Sequence, residues 1–112
     1  IFNPAAVRAS QGALFSLQIA TAGVDETADW LKANKIKSVG AHLGADKKIW
    51  EADFTKSTAI VMGCESDGLG EDWERRLDEK VLIPMSGISD SLNVNVAAAI
   101  FLYESLRQNG AK

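Results

Sequence analysis

The sequence predicts an α/β fold, a parallel sheet flanked by helices, because strand-like and helix-like segments alternate along the chain. Residues 37–43 and 57–63 are short apolar runs that end at glycine or polar residues, as buried parallel strands do. We expect helices to cover both faces of the sheet. With 112 residues and no linker, repeat or low-complexity tract, residues 1–112 are predicted to form a single domain.

The first third of the chain contains two predicted helices and one brief strand. Residues 5–15 are predicted to be helical, with Pro4 near the first turn, where a missing N–H costs little. A strand is predicted at residues 16–20. The next helix is expected to run from Asp25, its candidate N-cap, to Lys35, because acidic residues favour the first turn and basic residues the last.

The last third of the chain contains a charged helix, a strand and a strongly apolar helix. The charged helix is predicted at residues 71–79, and the strand follows at residues 80–85. The apolar helix is expected to start near Leu92, with Asp90 or Ser91 as its N-cap.

The apolar helix requires cover on most of its sides. Between Val94 and Leu102 the only polar residue is Asn95. One face can lie on the sheet, but the other face then needs additional chain or a second subunit against it.

Composition excludes several classes of protein. The net charge of -3 argues against a simple nucleic-acid binder, which normally carries a basic surface. The single cysteine, Cys64, excludes an intramolecular disulfide and favours a reducing, cytoplasmic location. No apolar run is long enough to predict a membrane span, and no signal peptide is recognisable. One Cys and one His cannot build a zinc site without several carboxylates, so no metal is expected.

The loop at residues 62–70 is the first candidate binding segment. It follows a predicted strand, and ligands of open α/β sheets bind beyond the carboxyl ends of the strands. Gly63 and Gly68 allow sharp turns and close backbone approach, whereas Glu65 and Asp67 disfavour phosphate. No phosphate-binding loop or dinucleotide fingerprint is present. A ligand with a cationic or hydroxyl-rich part fits best, and the alternative is an acidic turn with no ligand.

The second candidate segment follows the last predicted strand. Pro84 has no N–H, so strand pairing should end near Ile83 and leave later backbone groups free to contact a heterocycle. Ile83 and Met85 offer apolar surface, and Asn93 offers an amide. The alternative is a strand ended by proline and followed by a capped helix.

Two further residues were considered as site candidates. His42 follows a predicted strand and can either face a pocket or make an ordinary loop hydrogen bond. Cys64 has no cationic neighbour in sequence that would predict a thiolate. The three tryptophans lack interleaved basic residues and are predicted to be packing residues.

Together the two loops resemble the motifs of the SpoU/TrmH branch of the SPOUT RNA methyltransferases. The motif G-x-E-x-x-G-L is matched by Gly63, Glu65, Gly68 and Leu69. The motif I-P-M followed by S-L-N-V is matched by Ile83, Pro84, Met85, Ser91, Leu92, Asn93 and Val94. The resemblance covers essentially the whole chain.

The resemblance implies an α/β-knot fold with a C-terminal trefoil knot, a homodimer formed through the C-terminal helix, and S-adenosyl-L-methionine as cofactor. The implied reaction is methyl transfer to a ribose 2′-hydroxyl of RNA, with rRNA favoured over tRNA. It implies that Glu65, Ser91 and Asn93 act at the reacting centre. The implied cofactor-binding residues are Gly63, Gly68, Ile83, Met85, Leu92 and Asn93.

The first motif of the family, an Asn shortly before a catalytic Arg, is expected to be absent. Asn3 and Arg8 are an Asn and an Arg at a short spacing, but the segment that follows Arg8 fits a later part of the family pattern. We therefore expect an N-terminally truncated chain that is inactive alone. The alternative function is a non-catalytic dimerisation or RNA-interaction module that keeps the knot fold. A flavodoxin-like nucleotide binder is disfavoured because the phosphate loop is missing.

Overall fold

The computed structural model describes residues 2–64, 66–87 and 91–110. Within these ranges the chain forms four α-helices, three β-strands and two 3₁₀ turns. The helices are α1 (Pro4–Ala9), α2 (Val24–Ala33), α3 (Gly70–Arg76) and α4 (Val94–Gln108). The strands are β1 (Lys37–Ala41), β2 (Thr58–Val61) and β3 (Glu79–Val81), and the 3₁₀ turns are Ala13–Ser16 and Ile49–Glu51.

The three strands form one parallel sheet in the order β2-β1-β3. Val39 of β1 is the register partner of Ile60 on one side and of Glu79 on the other. The predicted α/β class, with a parallel sheet and flanking helices, is confirmed.

One face of the sheet packs against α4 and the loop that follows the second 3₁₀ turn. Val39 and Val81 point to this face, where they meet Phe54 and Phe101, and all four side chains are fully buried. The rings of Phe54 and Phe101 meet edge to face, with centroids 6.1 Å apart. Such an aromatic pair contributes more stability than its buried apolar area alone would give. Phe101 therefore fixes α4 against the sheet.

The opposite face packs against α3 and α2. A Cβ at Gly40 would overlap Cδ1 of Leu77, so this leucine packs directly against the backbone of the central strand. The Asp78 carboxylate accepts hydrogen bonds from the backbone N–H and the hydroxyl of Ser38, each 2.8 Å long. These bonds hold the pKa of Asp78 below its ordinary value. They join the start of β1 to the segment between α3 and β3.

The C-terminal end of α4 is fixed to the core by amide hydrogen bonds. The Gln108 side chain accepts from the N–H of Phe54 and donates to the carbonyl of Ala52, both at 2.9 Å. The Glu104 carboxylate accepts from the Arg107 guanidinium and from the Gln108 amide. These bonds lower the pKa of Glu104 to about 2.

Two predictions for the N-terminal segment are wrong. The helix predicted at residues 5–15 ends at Ala9, because Gln11 and Gly12 have left-handed φ values of 49° and 87°. The strand predicted at residues 16–20 does not form. Leu17 and Ile19 are 66% and 46% exposed, so within the described residues no neighbouring strand covers this segment.

Helix and strand ends also differ from the predictions. The N-cap of α2 is Gly23, and Asp25 instead lies in the first turn, where it forms an ion pair with Arg76 of α3 at 2.7 Å. The predicted helix at residues 71–79 ends at Arg76. The last strand is shorter than predicted and ends at Val81.

The N-cap of α4 is Asn93, whose side chain accepts a 2.9 Å hydrogen bond from the N–H of Asn95. Ser91 is therefore not the cap, and Asp90 lies outside the described residues. The trefoil knot stays a prediction. Among helices of the described residues, none combines the length and apolar character that crossing a bilayer requires.

We expect Gln108→Ala to lower the free energy of unfolding by about 1–3 kcal/mol, because the N–H of Phe54 loses its acceptor beside the core. Urea denaturation at neutral pH measures the change. The control is Gln18→Ala at an exposed position, which should change stability by less than about 0.5 kcal/mol. Equal effects of the two substitutions would contradict the structural role of Gln108.

Candidate functional site

A pocket of about 590 Å³ lies at the carboxyl ends of the three strands, a size typical of small-molecule sites. Because the strands are parallel, the segments that leave β1, β2 and β3 meet at this one edge, and the start of α4 closes the pocket. The position agrees with the general rule for ligand sites in open α/β sheets. The lining residues are Ala41, His42, Leu43, Met62, Gly63, Cys64, Ser66, Gly68, Leu82, Ile83, Met85, Ser91, Leu92, Asn93, Val94 and Ala97.

The glycine loop after β2 folds back on itself at the pocket wall. Cys64 and Gly68 exchange two backbone hydrogen bonds of 2.8 and 3.0 Å, which close a tight turn. Gly68 has a φ of 65°, a left-handed value that favours glycine. A Cβ at Gly63 would overlap the backbone carbonyl of Gly68. Both glycines of the predicted motif are therefore required by the shape of this loop.

The segment after β3 supplies the apolar part of the lining. Leu82 exchanges backbone hydrogen bonds with Lys47 and Ile49, and pairing ends there, just before Ile83 and Pro84. Ile83 is partly buried and packs against the hydrophobic core, whereas Met85 is exposed at the pocket. Strand pairing therefore ends near Ile83, as predicted. The segment after it brings two apolar side chains to the pocket, Ile83 held against the core and Met85 accessible.

The first residues of α4 and its N-cap complete the wall. Ser91, Leu92 and Asn93 all line the pocket, and the Asn93 side chain also caps the helix. Asn93 therefore caps a helix and lines the pocket at once, and its role towards a ligand stays a prediction.

His42 lines the pocket at the end of β1, and both of its ring nitrogens have partners. Nδ1 accepts a 3.0 Å hydrogen bond from the N–H of Gly44, and Nε2 lies 3.2 Å from Oε1 of Glu74 on α3. Because Nδ1 acts as an acceptor, the proton is on Nε2 and is donated to Glu74.

The pocket has little fixed charge. No Lys, Arg, Asp or Glu is among its lining residues within the described part of the chain. The hydrogen bond with the Ser66 hydroxyl lowers the pKa of the Cys64 thiol, a shift that requires no cationic neighbour. A site of this kind is suited to a ligand held by apolar contacts and backbone groups, and it offers no cation to bind phosphate.

The structure brings most of the predicted site residues together. Gly63, Gly68, Ile83, Met85, Ser91, Leu92 and Asn93 line the same pocket. Glu65 lies outside the described residues. The individual roles of all these residues remain predictions.

Sequence reasoning did not assign several lining residues to the site. Ala41 is the last residue of β1, and Leu43 lies two residues beyond it. Met62 and Leu82 directly follow β2 and β3. Their position at the carboxyl end of a strand is a usable signal, but apolar residues there are as common in cores as in pockets. Within the described ranges, no three His, Cys, Asp or Glu residues are grouped closely enough to hold a metal ion.

The chain is similar to known proteins in both sequence and structure. The family model described as "SpoU rRNA Methylase family" matches residues 1–103. A 23S rRNA (uridine(2479)-2'-O)-methyltransferase of Streptomyces viridochromogenes is 37% identical over 96% of this chain and 40% of that protein. The 23S rRNA (guanosine-2'-O-)-methyltransferase RlmB of Coxiella burnetii is 40% identical over 83% of this chain and 37% of that protein.

A solved structure shows the same similarity. The SpoU methyltransferase AviRb from Streptomyces viridochromogenes, in complex with the cofactor AdoMet, has a TM-score of 0.90 at 36% identity. The match covers 99% of this chain and 46% of that structure. The chain therefore spans less than half the length of these relatives.

We expect Gly63→Ala to lower the free energy of unfolding by about 1–3 kcal/mol, because the new Cβ overlaps the backbone of Gly68 and forces the turn open. Thermal unfolding followed by circular dichroism measures the loss. The matched control is Gly23→Ala, where a Cβ meets nothing within 4 Å and φ is an ordinary -71°. A Gly63→Ala variant as stable as this control would show that the turn is not so tightly closed.

Proposed function

Because the chain belongs to the SpoU rRNA methylase family, we propose that it is the cofactor-binding part of an RNA 2′-O-methyltransferase. The enzyme transfers the methyl group of S-adenosyl-L-methionine to a ribose 2′-hydroxyl. Ribosomal RNA is the favoured substrate because several relatives are named as 23S rRNA methyltransferases, although others are named for tRNA. A cytoplasmic location is part of this proposal.

The observation that carries the proposal is that both family motifs line one pocket. Gly63 and Gly68 belong to the motif G-x-E-x-x-G-L. Ile83, Met85 and Leu92 belong to the motif I-P-M followed by S-L-N-V. The segments are separated in sequence by β3 and α3, so only the folded chain joins them. A single ligand in this pocket would therefore contact both segments.

The residues of the pocket fit S-adenosylmethionine. The pocket volume of about 590 Å³ is ample for a nucleoside joined to an amino acid. Ile83, Met85 and Leu92 would hold the nucleoside by apolar contact. The glycine loop would allow the ligand to approach the loop backbone closely. When bound, the cofactor supplies an electrophilic methyl group on a positively charged sulfonium. No Lys or Arg lines the described part of the pocket to repel that charge.

Ser91, Asn93 and Glu65 are proposed to act at the reacting centre. Ser91 and Asn93 line the pocket at the start of α4, where a hydroxyl and an amide can orient bound groups by hydrogen bonding. The role of Glu65 rests on its place in the motif. RNA is the proposed partner, and with a net charge of -3 its binding must depend on local contacts more than on overall attraction.

A homodimer through α4 is the second part of the proposal. Val96, Ala99, Tyr103 and Leu106 are exposed and follow each other at spacings of three and four residues. Residues at these spacings share one helix face, so they form an apolar stripe opposite the buried Ala97 and Phe101. Tyr103 and Leu106 are 71% and 54% exposed in the single chain. A second copy of the chain would cover this stripe.

Isothermal titration of the chain with S-adenosylmethionine and S-adenosylhomocysteine tests the cofactor proposal. We expect saturable binding of both ligands. The alternative, a non-catalytic dimerisation module, is favoured by the exposed stripe of α4 but predicts no heat with either ligand. A folded sample that binds neither compound would contradict the proposed function.

Asn93 is tested with two substitutions. Asn93→Ala should lose about 1 kcal/mol of stability with the helix cap, and ligand affinity should fall as well. Asn93→Asp keeps a good cap acceptor but has no amide donor. We expect it to retain stability and to bind ligand as weakly as Asn93→Ala. If Asn93→Asp binds like the wild type, Asn93 serves the site only through the cap.

Sedimentation velocity tests the dimer. We expect the wild-type chain to sediment as a dimer and Leu106→Glu to shift it to monomer, because the substitution places a charge inside the apolar stripe. The control is Leu17→Glu, the same change at an exposed leucine outside α4, which should leave the dimer intact. A monomeric wild-type chain at all concentrations would contradict the interface.

A further inference from the structure

Among the described residues that line the pocket, His42 is the only one with an aromatic side chain. It follows directly after β1, the central strand, and its backbone N–H donates to the carbonyl of Val81 at 2.9 Å. The backbone at this position is therefore held by the sheet. The imidazole is thus attached to backbone that is fixed by a hydrogen bond to β3, and not to a free loop.

The ring is also held at both of its nitrogen atoms. Nδ1 accepts from the N–H of Gly44 at 3.0 Å, and Nε2 donates to the carboxylate of Glu74 at 3.2 Å. A Cβ at Gly44 would lie 3.1 Å from Cε1, so the chain passes close to that edge as well. Neither nitrogen is therefore available to a ligand. With both nitrogens in hydrogen bonds and the side chain 30% exposed, the ring offers a ligand its flat face and its carbon edges.

We propose that His42 is a ligand-binding residue that packs its flat face against the nucleoside half of the bound cofactor, with Glu74 and Gly44 holding the ring in place. The inference rests on the proposed function and assigns a cofactor-binding role to a residue outside the two motif loops. Aromatic faces bind planar heterocycles by stacking. The neighbouring Leu43, Met62 and Ile83 add apolar surface around such a planar group.

Calorimetric titration of His42 variants tests the inference. His42→Ala removes the ring, and we expect affinity for S-adenosylmethionine and for S-adenosylhomocysteine to fall by the same factor, roughly ten- to a hundredfold. The two ligands share the nucleoside but differ in the charge on sulfur. His42→Phe restores a flat ring without nitrogens, and we expect it to recover most of the lost affinity.

Glu74 is tested in a double-mutant cycle with His42. Glu74→Ala frees the ring and should weaken binding in the wild-type background but not in the His42→Ala background, because its effect acts through the imidazole. The matched control is Glu71→Ala, which removes an exposed carboxylate from the first turn of the same helix and should leave affinity unchanged. Circular dichroism of each variant verifies that the fold is retained.

Several outcomes would overturn the inference while the proposed function stands. Wild-type affinity in a folded His42→Ala variant excludes a contact with the ligand. A loss for S-adenosylmethionine alone would indicate that the His42–Glu74 pair acts by charge on the sulfonium. A His42→Phe variant as weak as His42→Ala would show that the ring nitrogens and not the flat face matter. If the wild-type chain binds neither ligand, the proposed function fails, and this inference fails with it.

Discussion

The parallel pairing of β1 with β2 and β3 is the constraint on which the rest of this structure depends. Parallel strands direct their carboxyl ends to the same edge of the sheet, so the segments after Ala41, Val61 and Val81 must meet there. The pocket is a consequence of this arrangement. Val39 and Val81 stabilise the pairing from one face, where they are buried against Phe54 and Phe101.

Several groups at the pocket serve structure and site together. Asn93 caps α4 and lines the pocket, and Gly63 shapes a turn while its backbone forms part of the wall. His42 has both nitrogens in hydrogen bonds and still faces the cavity. A substitution at any of these positions alters both a structural contact and the pocket wall. Conservative variants that keep one property and remove the other are therefore more informative than alanine alone.

Helix α4 connects the pocket, the core and the exposed surface. Its first residues line the pocket, Ala97 and Phe101 lie in the interior, and Gln108 fixes its last turn to the chain around Phe54. The stripe that includes Tyr103 faces outward. A single chain therefore covers only one side of this apolar helix. The proposed second copy of the chain would cover the exposed stripe on the other side.

The sequence by itself determined the α/β class, the approximate positions of the three strands and α2 to α4, and the two motif loops, because these depend on local patterns of apolar, glycine and capping residues. It did not determine that residues 16–20 form no strand, since a strand needs a partner and none of the described residues supplies one. Nor did it determine that Asn93 is the cap or that His42 faces the pocket. Only the tertiary structure decided these points, because contacts such as His42 with Glu74 join residues that are distant in sequence.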